Sequence, residues 1–386
     1  MRNSSLSDLP TLPSDPILKL PIAFKNDPRS HKINLGVGAY RDQNGLPWVL
    51  PSVKETEMRL LSQKLNKEYL PIEGDSLFIE CLEALLFPQL PPERVSVQTV
   101  GGTAALRIGA ELLMKACKKP IIYLSNPTWP NHQQIFQNVG FRVEFYPYAA
   151  NQTLLIEEML YAIEQMPNES IILLQTSCHN PTGIDPTREE WGEICQSIKQ
   201  RNLLPFFDIA YQGFGEDFIQ DVYPLSLFIS EGLECLVSYS FAKNMGLYGE
   251  RLGALAVCAQ GKGLLSQIRR IIRTLYSSPP LHGSLIAKTI LSDSALKNQW
   301  KQEVSQMRTR IQEMRQAFAQ ATNMPFLCQQ KGMFSYTGLS IEEVERLVQE
   351  HAIHMPDDGR INFAGLIPSQ IETVAKAIEA VRKMIP

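Results

Sequence analysis

From about Val95 to Val257 the chain alternates short apolar runs with longer stretches of helical pattern, and this rhythm leaves few folds open. The runs are VSVQTV, IIYLS, RVEFYPY, IILLQTS, LPFFDIA, CLVSYS and GALAVC. Seven strands separated by connections of helix length predict an α/β unit with a mostly parallel sheet. One connection, Thr187 to Arg201, opens on TREE, with Glu190 three residues after Thr187 as in a capping box, so a helix is predicted there. In open sheets of this kind, ligands collect at the carboxyl ends of the strands.

Those ends carry the chemistry-bearing residues. Gly101, Gly102 and Thr103 follow VSVQTV, NPTW with Trp129 follows IIYLS, HNPTG with Asn180 follows IILLQTS, Asp208 and Tyr211 stand in FFDIAYQGFG, and Lys243 follows CLVSYS. In Ser238 to Gly253, SYSFAKNMGLYGERLG, the Lys243 amine can attack a carbonyl or aldehyde cofactor. Ser240 and Arg251 offer a hydroxyl and a guanidinium to a phosphate. A Gly-Gly pair opening an apolar helix suits backbone amides facing the same phosphate. Asp208 lies in an apolar run, where a carboxylate is costly unless a cation pairs with it. A loop lysine, a Gly-Gly turn or a loop tryptophan is ordinary by itself; the ordered set carries the weight.

That set resembles the aspartate/aromatic aminotransferases, fold-type-I pyridoxal-phosphate enzymes, from INLGVGAY (Ile33 to Tyr40) to RINFAG (Arg360 to Gly365). The resemblance implies a large cofactor-binding domain over 48–295. It implies a smaller α+β domain from 1–47 and 296–386, with an N-terminal arm and a bridging helix read from about Leu296 to Ala321. It also implies that Lys243 binds pyridoxal 5'-phosphate covalently and moves the proton. Asp208 would hold the ring nitrogen protonated, with His132 behind it, while Tyr211 and Asn180 face the ring hydroxyl and Trp129 stacks on the ring. Gly101, Gly102, Thr103, Ser240 and Arg251 would form the phosphate cup, with Tyr69 reaching in from a second subunit. Arg360 would take the substrate α-carboxylate, and Arg273, crossing the dimer interface, a distal carboxylate. Gly38 would lie on a segment that closes over substrate. The chain departs from the pattern at Gln175, where many members carry histidine; the expected effect is one weakened contact to the cofactor aspartate. Tyr-Ser-Ser before Pro279-Pro280 resembles the aromatic branch and Thr103 the aspartate branch, so donor preference stays open.

Length and composition agree with a soluble, two-domain globular protein. At 386 residues the chain exceeds the size at which one core stops growing. With 37 basic and 40 acidic residues the net charge is −3, which with no long basic block argues against nucleic-acid binding. The first residues contain no apolar core of signal-peptide length, and no stretch has the length of a membrane span, so a cytoplasmic location is expected. Seven widely spaced cysteines read as buried thiols in a reducing compartment. No CxxC or HExxH occurs and His351 with His354 is an isolated pair, so no metal site is expected. SIEE (Ser340 to Glu343) and SQIE (Ser369 to Glu372) read as capping boxes, MFSYTG and RINFAG as strands. The competing readings are another pyridoxal enzyme (a β-lyase or decarboxylase), a non-catalytic pyridoxal-binding protein, and a Cys178/His179 hydrolase.

Overall fold

The computed structural model describes residues 9–10, 16–36, 38–118 and 120–382. Most of the stretch judged for a signal-peptide core, and part of the expected N-terminal arm, lie outside them. All seven apolar runs are strands of one sheet: β1 (Val95–Val100), β2 (Ile121–Asn126), β3 (Arg142–Pro147), β4 (Ile171–Gln175), β5 (Leu204–Ile209), β6 (Cys235–Ser240) and β7 (Leu252–Cys258). Their order is β1-β7-β6-β5-β4-β2-β3. Neighbours are parallel except that β7 runs antiparallel to β1 and β6. The connection 241–251 explains the reversal: it holds no helix and falls short of the dozen or so residues that a parallel crossover needs.

Strands β4, β6 and β7 are buried at every position, which is why they read as continuous apolar runs rather than alternating ones. Helices cover both faces. On one, α1 (Gly101–Ala116) shares a core with Leu255, Val257 and Phe206. Further along the chain, α2 (Pro130–Val139) starts directly after Trp129. On the other face, α3 (Arg188–Gln200) buries Trp191, Ile194, Cys195 and Ile198, spaced as one helical stripe. Its capping box is present, Thr187 Oγ1 accepting from the Glu190 N–H while the Glu190 carboxylate accepts from that of Thr187. Helix α4 (Leu264–Leu275) returns to the α1 side through Ile268, Ile271 and Ile272.

The long helix expected from about Leu296 to Ala321 is α5 (Ser294–Thr322), about 43 Å long at 1.5 Å per residue. Asp293 caps it, accepting from the N–H groups of Ala295 and Leu296, and Asn323 ends it in the left-handed region at φ 53°. Its arginines reach several segments: Arg308 donates to Gly213 O, Arg310 to Asp42 O and Leu366 O, and Arg315 to Gly332 O. Beyond it, β8 (Phe334–Tyr336) and β9 (Arg360–Asn362) pair antiparallel, and Ile33–Asn34 pairs parallel with Ile353–His354.

Two local expectations fare differently. Ser340 and Glu343 form the capping box of α6 (Ile341–His351). Ser369 does not cap: Pro368–Gln370 already forms a short 3₁₀ turn, and α7 (Ile371–Arg382) begins two residues after Ser369. The proline's fixed φ starts the helical turn early and places Ser369 inside it. Of the cysteines, 178, 195, 235 and 258 are buried, whereas Cys328 is exposed; all are free thiols. Among the described residues no helix is long and apolar enough to cross a membrane. No group of His, Cys, Asp or Glu is placed among them to hold a metal, and His354 instead meets Asp27 at 2.8 Å.

Candidate active site

The carboxyl ends of the central strands open into a cavity of about 260 Å³ whose walls include Gly102, Thr103, Trp129, Asn180, Asp208, Tyr211, Ser240, Lys243, Arg251 and Arg360. Strand register puts them there. Gln175 at the end of β4 pairs with Asp208 on β5, Asp208 with Ser238 on β6, and Gly253 on β7 with Ser240.

At one end, α1 points its N-terminus inward. Gly101 has φ 71°, and a Cβ on it would lie 2.8 Å from Arg251 Nη2; a Cβ on Gly102 would lie 3.2 Å from the Ser240 Cβ. The two glycines thus leave room for guanidinium, hydroxyl and helix terminus to close around one volume. Arg251 donates to Tyr248 O at 3.1 Å, and Ser240 Oγ accepts from the Ala242 N–H at 3.2 Å. Free helix-terminal amides, a guanidinium and a hydroxyl form a donor set that fits a phosphate.

At the other end Asp208, its side chain one-tenth exposed, meets His132 Nε2 at 3.1 Å, and His132 Nδ1 meets Thr128 Oγ1 at 2.8 Å. His132 is fully buried, and Trp129 lies edge-on to it with ring centroids 5.1 Å apart. Asn180 Nδ2 donates to Tyr211 Oη at 3.3 Å, and Arg360 Nη1 donates to Asn180 Oδ1 at 3.1 Å. Arg360 is buried, with its guanidinium 4.8 Å from the Phe334 ring centroid. Burial pushes the Tyr211 phenol above its ordinary range, so it stays a neutral donor at neutral pH. A cationic ring nitrogen at Asp208 and an ionised oxygen at Asn180 and Tyr211 match these donors and acceptors, so the residues fit a pyridoxal phosphate.

Lys243 lies between these ends. Its ammonium donates to Gly38 O and sits 5.0 Å from the Tyr248 ring centroid. Burial, then the like charges of Arg360 and Arg251, lower its pKa to about 8, towards a free amine.

Three of the expected site residues are not in the cavity lining: Gly101, which adjoins it beside Gly102 and Arg251, Tyr69 and Arg273. Tyr69 is 91% exposed, and Arg273 is exposed near the end of α4, donating to Ser277 Oγ. Gln175 turns to the Asn180 loop. Its amide bonds the main chain of Asn180, accepting from the N–H at 2.9 Å and donating to the carbonyl at 3.1 Å. It is a clamp on the Asn180 loop, because a glutamine carries the donor and acceptor that a backbone N–H and C=O require. Sequence reasoning also passed over Tyr248, which lies in the lysine stretch and accepts from the Tyr40 N–H at 2.9 Å, and Phe334, which was read only as part of a strand.

Comparison with known proteins places the chain in a family. Aminotransferase class I and II matches residues 30–378, and the chain belongs to that family. It is 41% identical to the aromatic-amino-acid aminotransferase of Pseudomonas aeruginosa, over 98% of this chain and 99% of that one. Aspartate aminotransferase 1 of Medicago sativa is 42% identical, over 98% and 96%. Among solved structures, the aromatic-amino-acid aminotransferase of Burkholderia pseudomallei, covalently bound to pyridoxal phosphate, superimposes with TM-score 0.94 at 38% identity, over 98% of this chain and 100% of that one. The cytoplasmic aspartate aminotransferase of Saccharomyces cerevisiae gives 0.94 at 37%, over 98% and 99%.

Proposed function

We propose that this aminotransferase moves the amino group of aspartate, of aromatic amino acids or of both to 2-oxoglutarate or oxaloacetate in two half-reactions, with pyridoxal phosphate held covalently on Lys243. The observation that carries it is the convergence of Lys243, Asp208 and Arg360 in one cavity with a phosphate-fitting helix terminus.

Bound pyridoxal phosphate supplies an electron-withdrawing ring that makes the bonds at an amino acid's α-carbon labile. Asp208, with His132 behind it, would keep the ring nitrogen protonated, and Tyr211 Oη and Asn180 Nδ2 would donate to the ring oxygen. Arg251, Ser240, Thr103 and the amides at Gly101 and Gly102 would hold the phosphate, and Trp129 would stack on the ring. Arg360 pairs with the α-carboxylate and orients the Cα–H bond. Released when the incoming substrate amine takes its place, Lys243 Nζ would take that proton and return it from the same side, its lowered pKa making the neutral amine accessible near neutral pH. Gly38, whose carbonyl the lysine meets, lies on a segment that closes over substrate.

The unit holding the cofactor is 48–295, and 1–47 with 296–386 forms the smaller one. The working protein is a cytoplasmic homodimer in which Tyr69 completes the phosphate cup and Arg273 receives a distal carboxylate across the interface. Supporting this, Val49, Met58, Leu61, Leu65 and Tyr69 are exposed along one stretch of the chain, an apolar set that a second copy would cover. Borohydride reduction of the pyridoxal-phosphate-loaded protein, followed by peptide mapping, tests the reading. The label is expected on Lys243, and a colourless protein that takes up no cofactor refutes it. Lys243→Ala is expected to bind cofactor through the phosphate cup and to lose nearly all turnover.

A further inference from the structure

Behind the cavity, a buried polar chain joins residues that are each one position away from a residue of the site. Gln212 follows Tyr211, Tyr239 precedes Ser240, and Asn244 follows Lys243. Tyr239 Oη donates to Gln212 Oε1 at 2.7 Å and accepts from Asn244 Nδ2 at 2.9 Å. Asn244 Nδ2 also reaches the Gln212 carbonyl at 3.2 Å. Gln212 Nε2 donates to Phe218 O at 2.6 Å and, at 3.3 Å, to Leu85 O. Trp300 on α5 completes the set, its indole N–H donating to Asn244 O at 2.7 Å. Gln212, Asn244 and Trp300 are 0% exposed and Tyr239 1%.

Buried groups of this kind are expensive unless paired, and once paired they admit few alternative geometries. The arrangement fits that logic at every side-chain polar atom of the four residues but Asn244 Oδ1, which is buried without a hydrogen-bond partner. The loop 241–251 is the irregular turn between β6 and β7, and the loop 211–216 leaves β5 without a helix. Neither loop is held in place by sheet hydrogen bonds alone. Tyr239 sits within the ladder, rigid on β6, and its hydroxyl bonds both loops at once. Trp300, on a helix of 29 residues, pins the Lys243 loop from outside, and Arg308, two turns along, pins the Tyr211 loop through Gly213 O at 3.0 Å.

We propose that Tyr239, with Asn244, Gln212 and Trp300, is a positioning device that fixes the Lys243 amine relative to the Tyr211 hydroxyl, so that α5 sets the geometry of the proton-transfer centre. The proposal rests on the assignment of Lys243 and Tyr211 above. Tyr239→Phe keeps the ring and removes the strand hydroxyl that bonds both loops, while the direct bond from Asn244 Nδ2 to the Gln212 carbonyl remains. The loops then lose their common reference on β6, and the separation of amine and phenol relaxes.

The test compares holoenzyme of wild type, Tyr239→Phe, Trp300→Phe and Phe228→Leu. Phe228 is a fully buried residue packed against Phe207 and Trp191, away from the polar chain, and its variant calibrates a plain loss of stability. Tyr239→Phe is expected to lower kcat about tenfold with KM within about twofold, because the fault lies in the reacting geometry and not in substrate binding. It is also expected to move the pH midpoint of the bound cofactor's visible absorption by about half a unit, since that midpoint reports the groups around the Lys243 nitrogen. Trp300→Phe is expected to show the same two effects in smaller measure. If Tyr239→Phe lowers Tm as Phe228→Leu does, with kcat and the midpoint those of wild type, the four residues are structural and the proposal is overturned. Wild type that takes up no pyridoxal phosphate overturns the cofactor assignment first, a failure visible without any variant.

Discussion

Gly101→Ala isolates the phosphate cup from the rest of the site. The residue opens α1 at φ 71°, and its missing side chain is where the Arg251 guanidinium lies, 2.8 Å from the place a Cβ would take. Alanine therefore costs about 1–2 kcal/mol in backbone conformation, and it drives Nη2 off its position by several tenths of an ångström, since ordinary contacts begin near 3.4 Å. A charge-assisted hydrogen bond contributes about 1.5–3 kcal/mol. Losing one predicts cofactor affinity about 10- to 150-fold weaker, each 1.4 kcal/mol being tenfold. The assay is titration of apoenzyme with pyridoxal phosphate, followed by absorbance. Gly192→Ala is the control: a Cβ there meets nothing within 4 Å, and in the middle of α3 alanine should stabilise by about 0.5–1 kcal/mol without touching cofactor affinity. If Gly101→Ala binds cofactor within twofold of wild type, Arg251 and the α1 terminus do not hold the phosphate.

Asp208→Asn should retain cofactor and lose roughly three orders of magnitude in single-turnover rate, because an amide cannot keep the ring nitrogen protonated; a loss under about tenfold would make the carboxylate structural. Arg360→Ala should reduce kcat/KM for every amino acid alike, whereas Arg273→Ala should lower it about a hundredfold for aspartate and glutamate and spare phenylalanine and tyrosine; equal losses in both classes would remove Arg273 from substrate binding. Lys243 in the apoenzyme is protonated below its pKa of about 8 and neutral above it. Its reaction rate with an amine-selective reagent should rise with pH to a midpoint near 8, and a midpoint near the ordinary lysine value of 10.5 would contradict the desolvated setting.

The periodicity of the chain already determined much of this protein. Seven apolar runs became seven strands, two capping boxes formed where Thr187 with Glu190 and Ser340 with Glu343 announced them, and α5 ends within two residues of its expected limits. These features are local: burial on both faces and side-chain caps act between residues close in the chain. Lys243, Asp208 and Asn180 were legible as candidates because each stands at the end of such a run.

Only the tertiary structure decided the rest. Apolar content does not encode strand direction, so the reversal of β7 depended on how little chain the lysine loop contains. The seat of Arg360 against Asn180, 180 residues away, and the clamp of Gln175 on the Asn180 main chain depend on which atoms packing brings within hydrogen-bond reach. Nor does any sequence pattern pair Tyr239 with Gln212, or Trp300 with Asn244, 56 residues apart. Buried polar groups find partners across the whole fold, and their choice follows from the register of strands and the path of α5, which no short window of sequence contains.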